Sequence, residues 1–242
     1  MTIKGILFDL YGTLVNIETD EGMEEVYRTL SHFLTYHGID MHRWQVRDLY
    51  FNILNGRKDR NPEKYPEIDV ETIWREFLRQ KGVRPESVRK SLALSLARLF
   101  RAISRKRLEL YPDVPPVLDR LGELYPLGLV SDAQPCFAVP EMRAMGLSGR
   151  FRPVVFSAPL GFRKPDPRMF LAAAEAMGVR PGETLYVGND MYRDMCGAKR
   201  AGMKTLFFSS NQGEKTYKDT SPDYVVTRFA DVPTRVEFLA KG

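Results

Sequence analysis

The stretch Ile3-Lys4-Gly5-Ile6-Leu7-Phe8-Asp9-Leu10-Tyr11-Gly12-Thr13 governs the reading of this 242-residue chain. A short apolar run interrupted by an acid and then a glycine reads as a buried strand feeding a loop. It therefore delivers Asp9 at a strand tip.

Outward from there, helical periodicity takes over. Met23, Val26, Tyr27, Leu30, Phe33 and Leu34 recur at the spacing of one helix face, and Gly38 ends it. Val46, Leu49, Tyr50, Ile53 and Leu54 form a second face. A polar loop is expected over Asn55–Asp69, carrying Pro62 and Pro66. It is followed by the face Val70, Ile73, Trp74, Phe77 and Leu78, and after Pro85 by a long helix to about Ile103. Between Ile17 and Ser104 nothing reads as a strand.

From Tyr111-Pro112 the texture changes to alternating elements. Strands are expected at 127–130, 154–156, 184–187, 205–208 and 224–226, with helices at 117–124, 136–145, 166–177 and 191–201. Such alternation with short loops predicts a parallel sheet covered by helices on both faces. The first strand belongs to that sheet, so the helical block is an insertion. The expected architecture is α/β: a Rossmann-like parallel sheet core over 1–15 and 105–242, with an inserted α-helical cap over 16–104.

Bulk properties narrow the function classes. An apolar fraction of 43% and a charged fraction of 28% suit an ordinary globular protein. No apolar run approaches the roughly 18 residues of a membrane span, and the N-terminus meets an acid too early for a signal peptide. Cys136 and Cys196 are too few for a disulfide framework, and no Cys/His pair has zinc spacing. A cytoplasmic location is expected. The net charge of +5 favours anionic substrates. Arg57-Lys58-Asp59-Arg60 and Arg105-Lys106-Arg107 read as solvated faces rather than a nucleic-acid track.

In open α/β sheets, ligands bind beyond the carboxyl ends of the strands. The residues there are Asp9 to Thr13, Ser131-Asp132 and Gly188 to Asp194, joined by Arg163-Lys164-Pro165 ahead of a helix. Singly, each has a structural explanation as a cap, a turn former or a surface lysine. Together they place acids, hydroxyls and one lysine at a single edge. His32, His37 and His42 all fall in the helical block, which argues against a histidine-based triad.

Phe8-Asp9-Leu10-Tyr11-Gly12-Thr13-Leu14-Val15 resembles the first motif of the haloacid dehalogenase superfamily. Ser131 resembles its second motif, and Lys164 in Gly161-Phe162-Arg163-Lys164-Pro165-Asp166 its third. Val187-Gly188-Asn189-Asp190 with Asp194 resembles its fourth. The likeness runs nearly end to end. It implies hydrolysis through the Asp9 carboxylate and a covalent aspartyl intermediate. Thr13 and Ser131 would bind anionic substrate oxygens, and Lys164 would orient Asp9. Asp190 and Asp194 would hold a cation, Lys164 or the hydrolytic water.

Two chemistries compete. Phosphatases of the superfamily carry a general acid two positions after the nucleophile, where this chain has Tyr11. Halide needs no proton on leaving, and 2-haloacid dehalogenases carry a tyrosine at this place. This favours displacement of halide from a small acid, with no cofactor and with Arg43 or Arg47 of the cap gripping the carboxylate. Other positions oppose it. Similar dehalogenases have Ser-Asn at Ser131-Asp132, a tyrosine at Phe170, and a neutral Ser-Ser-Asn at Gly188-Asn189-Asp190. The more acidic set here suits Mg²⁺ held by Asp9, the Tyr11 carbonyl and Asn189 or Asp190. Asn189 stands where phosphatases have a charged ligand. Dehalogenation is placed marginally ahead of phosphate-monoester hydrolysis, and a silent phospho-ligand binder is third. The expected partner is a small anionic substrate, bound by a monomer or homodimer without nucleic acid or membrane.

Overall fold

The computed structural model describes residues 2–241. Its centre is β1 (Gly5–Phe8), whose alternating side chains divide the core. Ile6 and Phe8 pack into one apolar cluster and Leu7 into another, so both faces of the strand are covered. The other sheet strands are β4 (Leu127–Ser131), β5 (Val154–Phe156), β6 (Thr184–Gly188), β7 (Lys204–Phe208) and β8 (Tyr224–Val226). All pairings are parallel, and the order is β5-β4-β1-β6-β7-β8. The chain goes from β1 to β4 and β5 on one side and then returns to β6 on the other. The reversal of strand order therefore falls at β1, where a doubly wound sheet opens a crevice.

The cap consists of α1 (Glu24–Thr35), α2 (Arg43–Asp59), α3 (Val70–Gln80) and α4 (Glu86–Ser104). Each helix packs on two others in a closed ring. Tyr27, Trp74, Phe77 and Phe100 are wholly or almost wholly buried inside it, and Tyr50 stacks on Phe100 with ring centroids 5.2 Å apart. Asp69 starts α3 by accepting a hydrogen bond from the Glu71 N–H at 2.8 Å. The expected loop from Asn55 is shorter than the sequence suggested, because α2 continues to Asp59.

Two strands depart from expectation. Val15–Thr19 forms β2 and Arg105–Leu110 forms β3, an antiparallel ribbon linking core and cap. Val15 and Ile17 alternate with Asn16 and Glu18, a period-two signal that the helical texture downstream obscures. The run Arg105-Lys106-Arg107-Leu108-Glu109-Leu110 is mostly charged, because its outer face is solvated.

In the second half, α5 (Val114–Gly122), α6 (Pro135–Ala144), the short α7 (Ser157–Leu160), α8 (Pro167–Met177), α9 (Gly197–Arg200) and α10 (Val232–Lys241) complete the core. The helix expected at 191–201 is broken: Met191–Cys196 is a π-helical turn, followed by α9. The Asp194 and Met195 N–H groups both donate to the Asp190 carbonyl, at 2.9 and 3.1 Å. Such wide turns gather at functional sites.

Candidate active site

Asp9 leaves the tip of β1 only 4% exposed. The loop behind it is tight: Gly12 adopts φ +90°, and a Cβ there would lie 2.4 Å from the Asn189 amide nitrogen. Glycine thus lets the Asp9 loop close against the segment following β6. Thr13, fully buried, has Oγ1 3.2 Å from Asp9 Oδ2 and 3.0 Å from Asn189 Oδ1. Its single proton can serve one of these acceptors at a time.

Lys164 reaches the same point from the segment ahead of α8. Its Nζ donates to Asp9 Oδ1 at 2.7 Å and to Asp194 Oδ1 at 2.6 Å. Asp194 is held in turn. Its Oδ2 accepts the N–H groups of Asn189 and Asp190, both at 3.0 Å, and the Tyr186 hydroxyl lies 3.0 Å from Oδ1. Gly188 makes room for it, since a Cβ would fall 2.5 Å from the carboxylate. Burial pushes the Asp9 carboxyl up to about 7 against the pull of Lys164, and the nearby Asp194 adds to the rise. The Lys164 ammonium is held well above its usual range by Asp194 and Asp9, although burial acts the other way.

Asp190 has a different place from the one expected of it. Its Oδ1 accepts the N–H groups of Tyr192 and Arg193 at 3.0 and 2.8 Å, and Oδ2 accepts that of Glu214 at 3.2 Å. It caps the π-helical turn, ties down the 213–214 loop and also lines the cavity beside Asp9. Asn189 Oδ1 accepts from Thr13 beside Asp9. A carboxylate oxygen of Asp9, the Tyr11 carbonyl and the Asn189 amide oxygen form an all-oxygen donor set of the kind that suits Mg²⁺. Thr13 Oγ1 lies within hydrogen-bond distance of Asp9 Oδ2 and Asn189 Oδ1.

A cavity of about 280 Å³ opens onto Asp9, Ser131, Asp132, Lys164 and Asn189. A second, of about 220 Å³, continues toward the cap past Ile17, Arg101 and Phe137. Tyr11, Ile17 and Asp132 line both. Asp132 accepts the Lys164 backbone N–H on Oδ1 at 2.9 Å, while its Oδ2 is buried without a partner.

Arg43 and Arg47, expected to bind substrate, lie away from these cavities. Arg43 pairs with Glu24 at 2.8 Å and Arg47 with Asp48 at 3.0 Å on the cap surface, and neither lines these cavities. Both sit at the start of α2. The cap arginine at the junction comes instead from the last turn of α4. Arg101 makes a two-pronged bond to Glu141 of α6, at 2.8 and 3.0 Å, with its guanidinium 5.3 Å over the Tyr11 ring. The Tyr11 hydroxyl donates to the same carboxylate. Burial and Glu141 raise the Tyr11 phenol far above its usual range.

Sequence reading missed Arg101, Glu141 and Tyr186. Nothing local distinguishes Arg101 among the arginines of α4, and Glu141 looks like a surface helix residue. Tyr186 carried a usable signal: a hydroxyl inside the buried run Thr184-Leu185-Tyr186-Val187 needs a partner. It has the Lys164–Asp194 pair, which its hydroxyl reaches at 3.3 and 3.0 Å.

Among the described residues no helix is long and apolar enough to cross a membrane. The chain is 28% identical to a glyceraldehyde 3-phosphate phosphatase of Methanopyrus kandleri, across 99% of each sequence. It is 25% identical to an (S)-2-haloacid dehalogenase of Xanthobacter autotrophicus, across 98% of this chain and 96% of the relative. The crystal structure of a 2-haloacid dehalogenase from Pseudomonas syringae pv. Tomato DC3000 superposes with a TM-score of 0.72 at 22% identity, covering 99% of this chain and 100% of that one. This last likeness establishes the fold. The sequence profile of the haloacid dehalogenase-like hydrolases matches residues 3–202, and the chain belongs to that family of hydrolases.

Proposed function

We propose that the chain hydrolyses phosphate monoesters of small organic molecules, with Asp9 as nucleophile. The observation that carries this reading is the charge pattern of the cavity. Asp9, Asp132, Asp190 and Asp194 line it together with two cations, Lys164, whose ammonium already serves two carboxylates, and Arg193, which lies beside Asp190. The cap guanidinium at the junction is committed to Glu141. A 2-haloacid would bring a carboxylate with no free cap guanidinium to grip it. The relatives include a phosphatase acting on glyceraldehyde 3-phosphate as well as a dehalogenase.

Asp9 Oδ1 is held by Lys164, which leaves Oδ2, in weaker contact with Thr13, as the attacking oxygen. Attack on phosphorus forms an aspartyl phosphate and expels the alcohol; water then cleaves that intermediate. The Ser131 hydroxyl, with N–H groups of the Asp9 loop, binds phosphoryl oxygens, while the buried Thr13 hydroxyl positions Asp9 Oδ2. Mg²⁺ held by Asp9, the Tyr11 carbonyl and Asn189 would neutralise charge on the phosphoryl group.

The expected result is Mg²⁺-dependent release of phosphate from 4-nitrophenyl phosphate, abolished by Asp9→Asn and by chelator. Tyr11 favours a second reading, dehalogenation. Metal-independent chloride release from 2-chloropropionate, with no phosphate release, would replace the first reading with it. Binding of inorganic phosphate without turnover of either substrate would remove both.

A further inference from the structure

Expulsion of an alkoxide requires a proton, and the side chain two positions after Asp9 is the wrong one to give it. Tyr11 directs its hydroxyl to Glu141, with Arg101 fastened to the same carboxylate. Other groups lining the inner cavity are engaged as well. Lys164 is divided between Asp9 and Asp194. Asp194 is bonded to Lys164, Tyr186 and backbone N–H groups. Asp190 caps the π-helical turn. In the outer cavity, Glu67 accepts the Ser157 hydroxyl at 2.9 Å and the Gln134 side-chain amide at 3.2 Å.

Two carboxyl groups lack such engagement: Glu21, which lines the outer cavity but not the inner one, and Asp132. Asp132 lines both cavities, so it stands where the phosphoryl site meets the space for the rest of the substrate. The backbone N–H of Lys164 fixes Oδ1, while Oδ2 is buried with no partner. A buried carboxylate oxygen without a donor is costly, and a proton shared with a substrate oxygen removes that cost.

We propose that Asp132 is the acid–base residue of this site, acting on the leaving oxygen in place of the side chain at Tyr11. This rests on the phosphatase reading. As the Asp9–phosphorus bond forms and the bond from phosphorus to the alcohol oxygen breaks, the Asp132 O–H proton passes to that oxygen. The alcohol departs neutral. The Asp132 carboxylate then takes a proton from the water that attacks the aspartyl phosphate. This restores the Asp9 carboxylate, releases phosphate and leaves Asp132 protonated again. Burial raises the proton affinity of Asp132, against the pull of Lys164, which suits a residue that must begin the cycle protonated.

The test compares two substrates in the presence of Mg²⁺. β-Glycerophosphate must protonate an alkoxide, whereas 4-nitrophenyl phosphate expels a stable phenolate. Asp132→Asn is expected to lower kcat/KM for β-glycerophosphate by about 10²-fold or more and for 4-nitrophenyl phosphate by no more than about threefold. Retained kcat/KM for the aryl ester also shows that the variant is folded, while kcat should fall for both esters because the aspartyl phosphate has lost its base. Equal losses of kcat/KM on both substrates, or none on either, would overturn the proposal. A measurement on the unaltered protein guards against a variant that does not fold. Across a series of alkyl and aryl phosphates, kcat/KM should depend only weakly on leaving-group acidity, and a steep dependence would refute the assignment. If the unaltered protein hydrolyses none of these esters, the phosphatase reading falls and takes this one with it. Equal losses in Asp132→Asn would leave phosphatase action standing and remove Asp132 alone.

Discussion

In the core, charged side chains meet where water is largely excluded. Lys164, Asp9 and Asp194 are each under 5% exposed, and the Lys164 ammonium lies within hydrogen-bond reach of both carboxylates. In the cap, the interior is aromatic and aliphatic, and its charges lie on the outer surface, as in the Arg43–Glu24 and Arg47–Asp48 pairs. The two regions therefore depend on different physics. The cap is stabilised chiefly by removing apolar surface from water, which is tolerant of which residue sits where. The core site depends on matching charges in a medium that screens them poorly, so a single missing partner is felt strongly. The contrast explains why one region is built for chemistry and the other for enclosing a cavity.

The sharpest way to break this comparison is Lys164→Met. It would leave the Asp9 and Asp194 carboxylates facing each other with no cation between them. Removing one partner of a buried pair typically costs about 3–5 kcal/mol, and here two partners are orphaned. Urea unfolding should show a loss of that size, together with loss of turnover. An unchanged midpoint would mean that the buried charges do not hold the site.

Arg101→Ala probes the junction between the two regions and should cost somewhat less. Glu141, itself 5% exposed, would keep only the Tyr11 hydroxyl and a longer 3.4 Å contact from Arg105. A loss of about 2–3 kcal/mol is expected, with a rise in KM as the cap loosens from the core. A variant as stable as the parent, with the same KM, would show that this contact does not couple cap to core.

The smallest effect is expected from Arg43→Ala and Arg47→Ala. The Arg47–Asp48 pair is solvent-exposed and the Arg43–Glu24 pair half-exposed, each worth about 0–1 kcal/mol. Turnover should stay within about twofold of the parent, since truncating a solvated side chain outside the cavity removes no contact to the reacting group. A large loss in either variant would return that arginine to the substrate and favour the haloacid reading.

Much of this architecture was legible because periodicity survives in a single sequence. The apolar faces of α1 to α4 and the strand–helix alternation after Tyr111 follow directly from burial on one face or two. The ribbon β2–β3 was not legible, because half of it faces solvent and its charges mask the alternation. The break at Met191 was hidden for another reason. A π-helical turn has the composition of any helix, and only its contacts, with Asp190 capping and Asp194 folded back on the preceding backbone, reveal it.

From the sequence alone came the tip of the first strand as the proposed reactive point, and the acids, hydroxyls and lysine of the other loops as its company. Strand ends in a parallel sheet converge whatever the detail of the packing. Only the tertiary structure decided which charges remain available there. It occupied Asp190 as a cap, carried Arg43 and Arg47 to the outer surface, brought in Arg101 and Glu141 from helices far apart in the chain, and left one oxygen of Asp132 without a partner. The availability of a charge depends on what lies within a few ångströms of it, and linear order does not record those distances.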